Sequence, residues 1–160
     1  MIIRKAIQED IDCLEETYSI SRKFMRATGN QVQWIDGYPS RELILKGIEG
    51  RKQFVCVIEN QIVGTFYFCV EEEITYNQIY EGEWINNKAY GVVHRLASNG
   101  IHKGIAAFCL QWCFNQCQNI RVDTHRDNKV MQHILKKENY LPCGIIYVSN
   151  GTERLAFQKC

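Results

Sequence analysis

Apolar residues recur in two rhythms along this chain, and the places where the rhythm changes outline its elements. Ile2 to Ile7 predicts a first strand over 2–7. From 9 to 27, Ile11, Leu14, Tyr18, Phe24 and Met25 fall at helical spacing, so an amphipathic helix with these side chains inward is predicted. Gly29 and Asn30 suit its end. A loop follows over 31–39, carrying Trp34, Gly37 and Tyr38, and Ser40 is placed to cap a second helix with Leu43, Ile44 and Ile48 on its apolar face. Strands are predicted at 53–58 and 62–71, joined by Glu59-Asn60-Gln61, a connection of hairpin length. The polar and aromatic stretch from Glu72 to Lys88 fits either a strand extension or a long loop.

A strand at 90–98, a helix at 104–117 and a strand at 120–124 form a βαβ unit, so the middle of the sheet is expected to be parallel. Asp127 is expected to cap a helix over 128–138. Two terminal strands, 141–148 and 153–159, are linked by a Ser149-Asn150-Gly151 turn. The fold class is therefore α/β (α+β), a single domain over 1–160 with a mixed sheet of about six to seven strands and about four helices.

The most informative junction lies inside the βαβ unit. Val92, Val93 and Leu96 lead to an Asn99-Gly100 turn, and a mostly apolar helix begins at Gly104 with Ala106 and Ala107 in its first turn. A helix N-terminus exposes unpaired N–H groups and about half a positive charge. Small residues there let an anionic group approach the backbone. A tight turn that merely needs glycine fits the same spacing.

Composition narrows the classes. A net charge of +1 supplies no basic field for nucleic acid. No run of about 18 apolar residues offers a membrane span, and no apolar leader with a cleavage site opens the chain, so a cytoplasmic location is expected. Of the eight cysteines, none falls in a Cys-x-x-Cys pair. Cys109, Cys113 and Cys117 would line one helix face and read as small apolar packing, so no metal is expected.

The segment Leu96-Ala97-Ser98 followed by Gly104-Ile105-Ala106 resembles motif A of the GNAT-superfamily N-acetyltransferases, whose loop amides hold the pyrophosphate of acetyl-CoA. Ile3-Arg4-Lys5-Ala6 with Asp10 and Leu14 resembles the family's first strand and helix. The stretch from Phe54 to Phe66 resembles its central hairpin, and Asp123 to Met131 its fifth strand and fourth helix. Two positions depart from the pattern: Ile101 stands where Arg or Gln is usual, and Leu135 where many members place a tyrosine that protonates the leaving thiolate.

The resemblance implies acetyl transfer from acetyl-CoA, as acyl-donor cosubstrate, to a primary amine by direct attack in a ternary complex. It also implies a splay between the fourth and fifth strands. There the main chains of Leu96 and Ser98 would pair with the pantetheine arm, and the Ala97 amide would face the thioester oxygen. His102, Lys103, Gly104, Ile105 and Ala106 would hold the diphosphate, and Asn128 would contact the cosubstrate. His94, two residues before Leu96, is the first candidate for the base, since an imidazole titrates near neutral pH; a histidine fixed in the core by hydrogen bonds is the alternative. Asp123 and His125 are further candidates. Trp34, Tyr38 and Trp84 either line the acceptor groove or cover the core edge. The acceptor is a small-molecule or protein amine, and a homodimer is compatible with the family. Two other readings stay open: an inactive CoA-binding module of the same fold, and an unrelated α/β binding protein.

Overall fold

The computed structural model describes residues 1–160. Its elements run β1 (Ile2–Lys5), α1 (Ile11–Ala27), α2 (Arg41–Glu49), β2 (Gln53–Ile58), β3 (Gln61–Cys69), β4 (Gly91–Ser98), α3 (Ile105–Cys117), β5 (Ile120–Thr124), α4 (Lys129–Lys137), β6 (Leu141–Tyr147) and β7 (Glu153–Lys159). The seven strands form one sheet in the order β1-β2-β3-β4-β5-β7-β6. The β4–β5 pair is parallel and the other neighbours are antiparallel.

The predicted elements appear with small shifts. β1 stops at Lys5, and a short 3₁₀ turn over Gln8–Asp10 precedes α1. Arg4 holds that turn by donating to both oxygens of Asp10, at 2.7 and 2.9 Å. Ser40 caps α2, accepting from the Leu43 amide. The β2–β3 hairpin turns on Glu59 and Asn60 alone, both at positive φ, the conformation that matches strand twist in a two-residue turn. Between Glu72 and Lys88 no strand forms. A 3₁₀ turn over Ile74–Tyr76 and one bridge from Tyr80 to Ile145 organise the loop. Asn128, one residue beyond the expected Asp127, caps α4: its Oδ1 accepts from the Met131 amide, whereas the Asp127 amide donates to His125 Nδ1.

One face of the sheet packs on α3 and α4 around Phe54, Phe66, Leu110, Ile120 and Leu135. Cys109 and Cys113 are fully buried in this core; the hydrogen bond with Cys56, and then burial, pushes the Cys109 thiol up, and burial does the same to Cys113. All eight cysteines are free thiols. On the other face, α1 and α2 cover Val55, Val57 and Ala97. Phe24, expected inward on α1, is instead 52% exposed. No helix is long and apolar enough to cross a membrane.

Two irregularities shape the centre. β4 and β5 pair only at Gly91–Ile120 and Val92–Arg121 and then separate. On its other edge, β4 carries an extra residue: Thr65 faces Ala97, whereas Tyr67 faces His94. Such a bulge bends and twists its strand. Arg95 sits in it at φ 53°, a conformation that disfavours a side chain by about 1–2 kcal/mol. The strain is braced from both sides. Tyr18 donates from its hydroxyl to the Arg95 carbonyl, Gln53 donates to the Tyr18 hydroxyl, and the Arg95 guanidinium lies 4.7 Å from the Tyr67 ring centre.

Candidate active site

Where β4 and β5 part, the sheet opens into a cleft of about 630 Å³. Val93 to Ser98 form one wall and Val122 to Thr124 the other. Val130, Met131 and Ile134 of α4 also line the cleft, as do Trp34, Tyr38 and Glu73.

His94 stands at the mouth between two carboxylates. Its Nε2 lies 3.1 Å from Glu73 Oε2, and its Nδ1 lies 3.9 Å from Asp123 Oδ2, beyond hydrogen-bond range. The hydrogen bond from His94 holds the Glu73 carboxyl down to about 2 against the penalty of burial, with the Thr75 amide also donating to it. Tyr76 donates from its hydroxyl to Asp123 Oδ2 at 2.7 Å. Burial first, and then the Asp123 charge, raises the Tyr76 phenol well above its ordinary value, so it remains a donor. With Nε2–H committed to Glu73, a neutral His94 ring carries its lone pair on Nδ1, facing Asp123 and the cleft.

Beside Ala106, which lines the cleft, lies the turn before α3. Gly104 caps that helix at φ 79°, and an added Cβ there would meet nothing within 4 Å. The first helical bond runs from the Phe108 amide to the Gly104 carbonyl at 3.0 Å, and the amides from His102 through Ala107 make no protein hydrogen bond. A stretch of free amides with no side chain in front is suited to phosphate oxygens. His102 and Lys103 are exposed beside this turn. Ile105 is instead buried under it, packed on the core.

Other expected site residues divide. Leu96, Ala97, Ser98, Ala106 and Asn128 line the cleft. Asn99 donates from its amide to the Val63 carbonyl, so by the two-residue alternation the Ala97 main chain faces β3 and not the cleft. The Ser98 amide and carbonyl face outward and both bond Ser21 Oγ, at 3.2 and 2.9 Å. Asn128 uses its side chain within the protein, capping α4 and donating to Gln33 Oε1 at 3.0 Å. Trp34 and Tyr38 come together, with ring centres 6.3 Å apart.

Trp84 stands outside the cleft. Its Nε1 donates to the Tyr76 carbonyl, and its ring lies 4.3 Å from the Arg121 guanidinium. His125 is also outside, with Nδ1 accepting from the Asp127 amide; burial and the nearby Arg154 charge lower its basicity. Leu135 is fully buried in the main core. Sequence reasoning missed Glu73, Arg95 and Arg154. The only signal for Glu73 was a run of three glutamates in the stretch that showed no rhythm.

No protein-family model matches the sequence, and a comparison with curated proteins finds no match. Among solved structures the chain is similar to an acetyltransferase of the GNAT family from Streptococcus agalactiae 2603. The two share 33% identity over 99% of this chain and 94% of that one, with a TM-score of 0.89. A GNAT-family acetyltransferase from Listeria monocytogenes 4b F2365 shares the fold at 16% identity, covering 99% and 93% of the two chains with a TM-score of 0.71. A ribosomal-protein-alanine N-acetyltransferase from Brucella melitensis does so at 15% identity, covering 99% of each chain with a TM-score of 0.66.

Proposed function

The chain belongs to the GNAT family of acetyltransferases, and from that footing we propose that it transfers an acetyl group from acetyl-CoA to a primary amine within the β4–β5 cleft. The observation that carries this reading is the alignment of three features along one cleft: free amides before α3, an open strand edge, and a histidine between two carboxylates. The diphosphate of acetyl-CoA sits against the amides from His102 to Ala107. The pantetheine arm runs between β4 and β5. The bulge sets Arg95 and Leu96 opposite the single residue Phe66, and a main-chain amide of this irregular stretch polarises the thioester carbonyl.

The acceptor enters from the side of Trp34 and Tyr38 as an ammonium, attracted by Glu73 and Asp123. His94 Nδ1 removes its proton, directly or through a water. The neutral amine nitrogen then attacks the carbonyl carbon, its second proton passes to solvent as the carbon–sulfur bond breaks, and CoA leaves as a thiolate, giving the neutral amide. The α4 side of the cleft presents Val130, Met131 and Ile134, so the thiolate takes its proton from solvent. Glu73 orients the imidazole by accepting from Nε2–H, the orienting role a carboxylate plays behind a catalytic histidine.

The test is a panel of primary amines incubated with acetyl-CoA, following free thiol and product mass. A product heavier than its amine by one acetyl group, formed with stoichiometric thiol, is the expected result. Tight CoA binding with no acetylated product from any amine would instead favour the inactive CoA-binding reading.

A further inference from the structure

Arg154 is a buried cation at the acceptor end of the cleft, and it has no anionic partner. It is 8% exposed and lines the cleft from β7. Its Nη1 donates to two neutral oxygens, Thr152 Oγ1 at 2.9 Å and the Glu153 carbonyl at 2.8 Å. The neighbouring Glu153 carboxylate turns away to pair with Arg126. None of the ion pairs of the molecule includes Arg154.

Arg121, the other buried arginine on this sheet, shows what a purely structural role looks like. Its guanidinium lies 4.3 Å from the Trp84 ring centre and 4.0 Å from that of Tyr90, and it donates to the Asn86 carbonyl at 2.7 Å. Arg154 stacks on no ring. A charge kept from water without a counter-ion is costly, so this guanidinium calls for an anion.

The register says where that anion would lie. Asp123 faces Ala156 across β5 and β7, so Arg154, two residues away, is on the same face as Asp123 and about 7 Å along the strand. The titratable groups around it are Asp123, His125 and the Tyr38 hydroxyl. Toward β4, the negative pair of Glu73 and Asp123 flanks His94. The acceptor end therefore presents negative charge where the amine is activated and positive charge one step beyond.

Resting on the acetyltransferase reading, we propose that the acceptor is an amine that also carries an anionic group, a carboxylate or a phosphate, and that Arg154 binds this group. The planar guanidinium fork suits both anions through paired N–H donors.

The test uses acetyl-CoA with four matched series: amino acids of several amine-to-acid spacings, their amides, aminoalkyl phosphates and amino alcohols. Thiol release and product mass give kcat/KM for each. Anionic members are expected to exceed their neutral counterparts at least tenfold, and the preferred anion separates carboxylate from phosphate. Arg154→Gln is expected to bring that preference to about one, chiefly through KM, while Arg154→Lys retains part of it. Equal use of neutral and anionic members by the wild type, or a folded Arg154→Gln protein that keeps the preference, overturns the proposal. Should no amine be acetylated, the acetyltransferase reading fails by itself. Calorimetric titration of the same compounds into CoA-bound protein then decides the anion site. Binding of the anionic members alone, weakened at least tenfold in Arg154→Gln, supports it. Equal binding of both kinds, or of neither, overturns it.

Discussion

The hydrogen bond between His94 and Glu73 assigns the two nitrogens of the ring different tasks. Nε2 is held by Glu73, and Nδ1 is the nitrogen to which the proposed mechanism gives the role of base. Glu73, held at about 2, stays anionic at every pH at which an imidazole can act as a base. A positioned base contributes about 100- to 10,000-fold. Replacing His94 with Gln keeps a polar side chain but removes the basic nitrogen. Steady-state kinetics should show kcat falling at least tenfold, the acidic limb of the pH–rate profile disappearing, and acetyl-CoA affinity little changed. A His94→Gln enzyme with wild-type kcat and an unaltered profile would move the base to Asp123. His94 was legible in the sequence because it precedes Leu96-Ala97 on a well-patterned strand. Glu73 was not, since it reaches His94 only when an unpatterned loop folds back across 21 positions. Trp84 was left between two readings, acceptor groove or core edge, for a related reason. A loop aromatic looks the same in sequence whether it lines a groove or, as here, stacks on a buried arginine.

At the scale of elements, the position of α3 depends on how closely it approaches the sheet. A Cβ on Gly64 would come within 2.6 Å of Ile105 Cγ2 and 3.1 Å of the Ala97 carbonyl oxygen. Gly64 thus lets the first residue of α3 seat against β3 beside the cleft wall. Gly64→Ala overpacks that contact, and overpacking costs about 1–3 kcal/mol. Urea unfolding should show a lower midpoint at unchanged slope, together with weaker acetyl-CoA binding because the free amides shift. An unchanged midpoint would mean that α3 is not braced there. Helices were readable because one face of each is apolar, and the central strands because burial on both faces makes them short apolar runs. The bulge was not, because it is an interruption in the register between β3 and β4, which the sequence of one strand does not reveal. The α4 cap shifted by one residue because Asp127 and Asn128 are both good capping residues. The loop hydrogen bond from the Asp127 amide to His125 leaves Asn128 at the helix start.

Over the whole molecule, the splay of β4 from β5 joins two chemically distinct ends in one cleft. Free amides at the start of α3 suit phosphate, and the His94 cluster with Trp34 and Tyr38 suits an amine. The order of motifs along the chain was enough to read this architecture, because a strand, a glycine turn and a helix in a βαβ unit have few ways to pack. The charge pattern of the acceptor end, with Arg154 arriving from the last strand, was not readable, since it joins residues from distant parts of the chain. The central claim is that this cleft is an acetyl-CoA site seated on Gly104. Calorimetric titration of acetyl-CoA into wild type, Gly104→Ala and Gly104→Glu tests it most directly. Both substitutions carry the same positive-φ strain, and only glutamate adds length and negative charge in front of the amides. The account predicts saturable binding to the wild type, a modest loss in Gly104→Ala, and a further loss of at least tenfold, about 1.4 kcal/mol, in Gly104→Glu. A folded Gly104→Glu protein that binds acetyl-CoA as tightly as Gly104→Ala would contradict it.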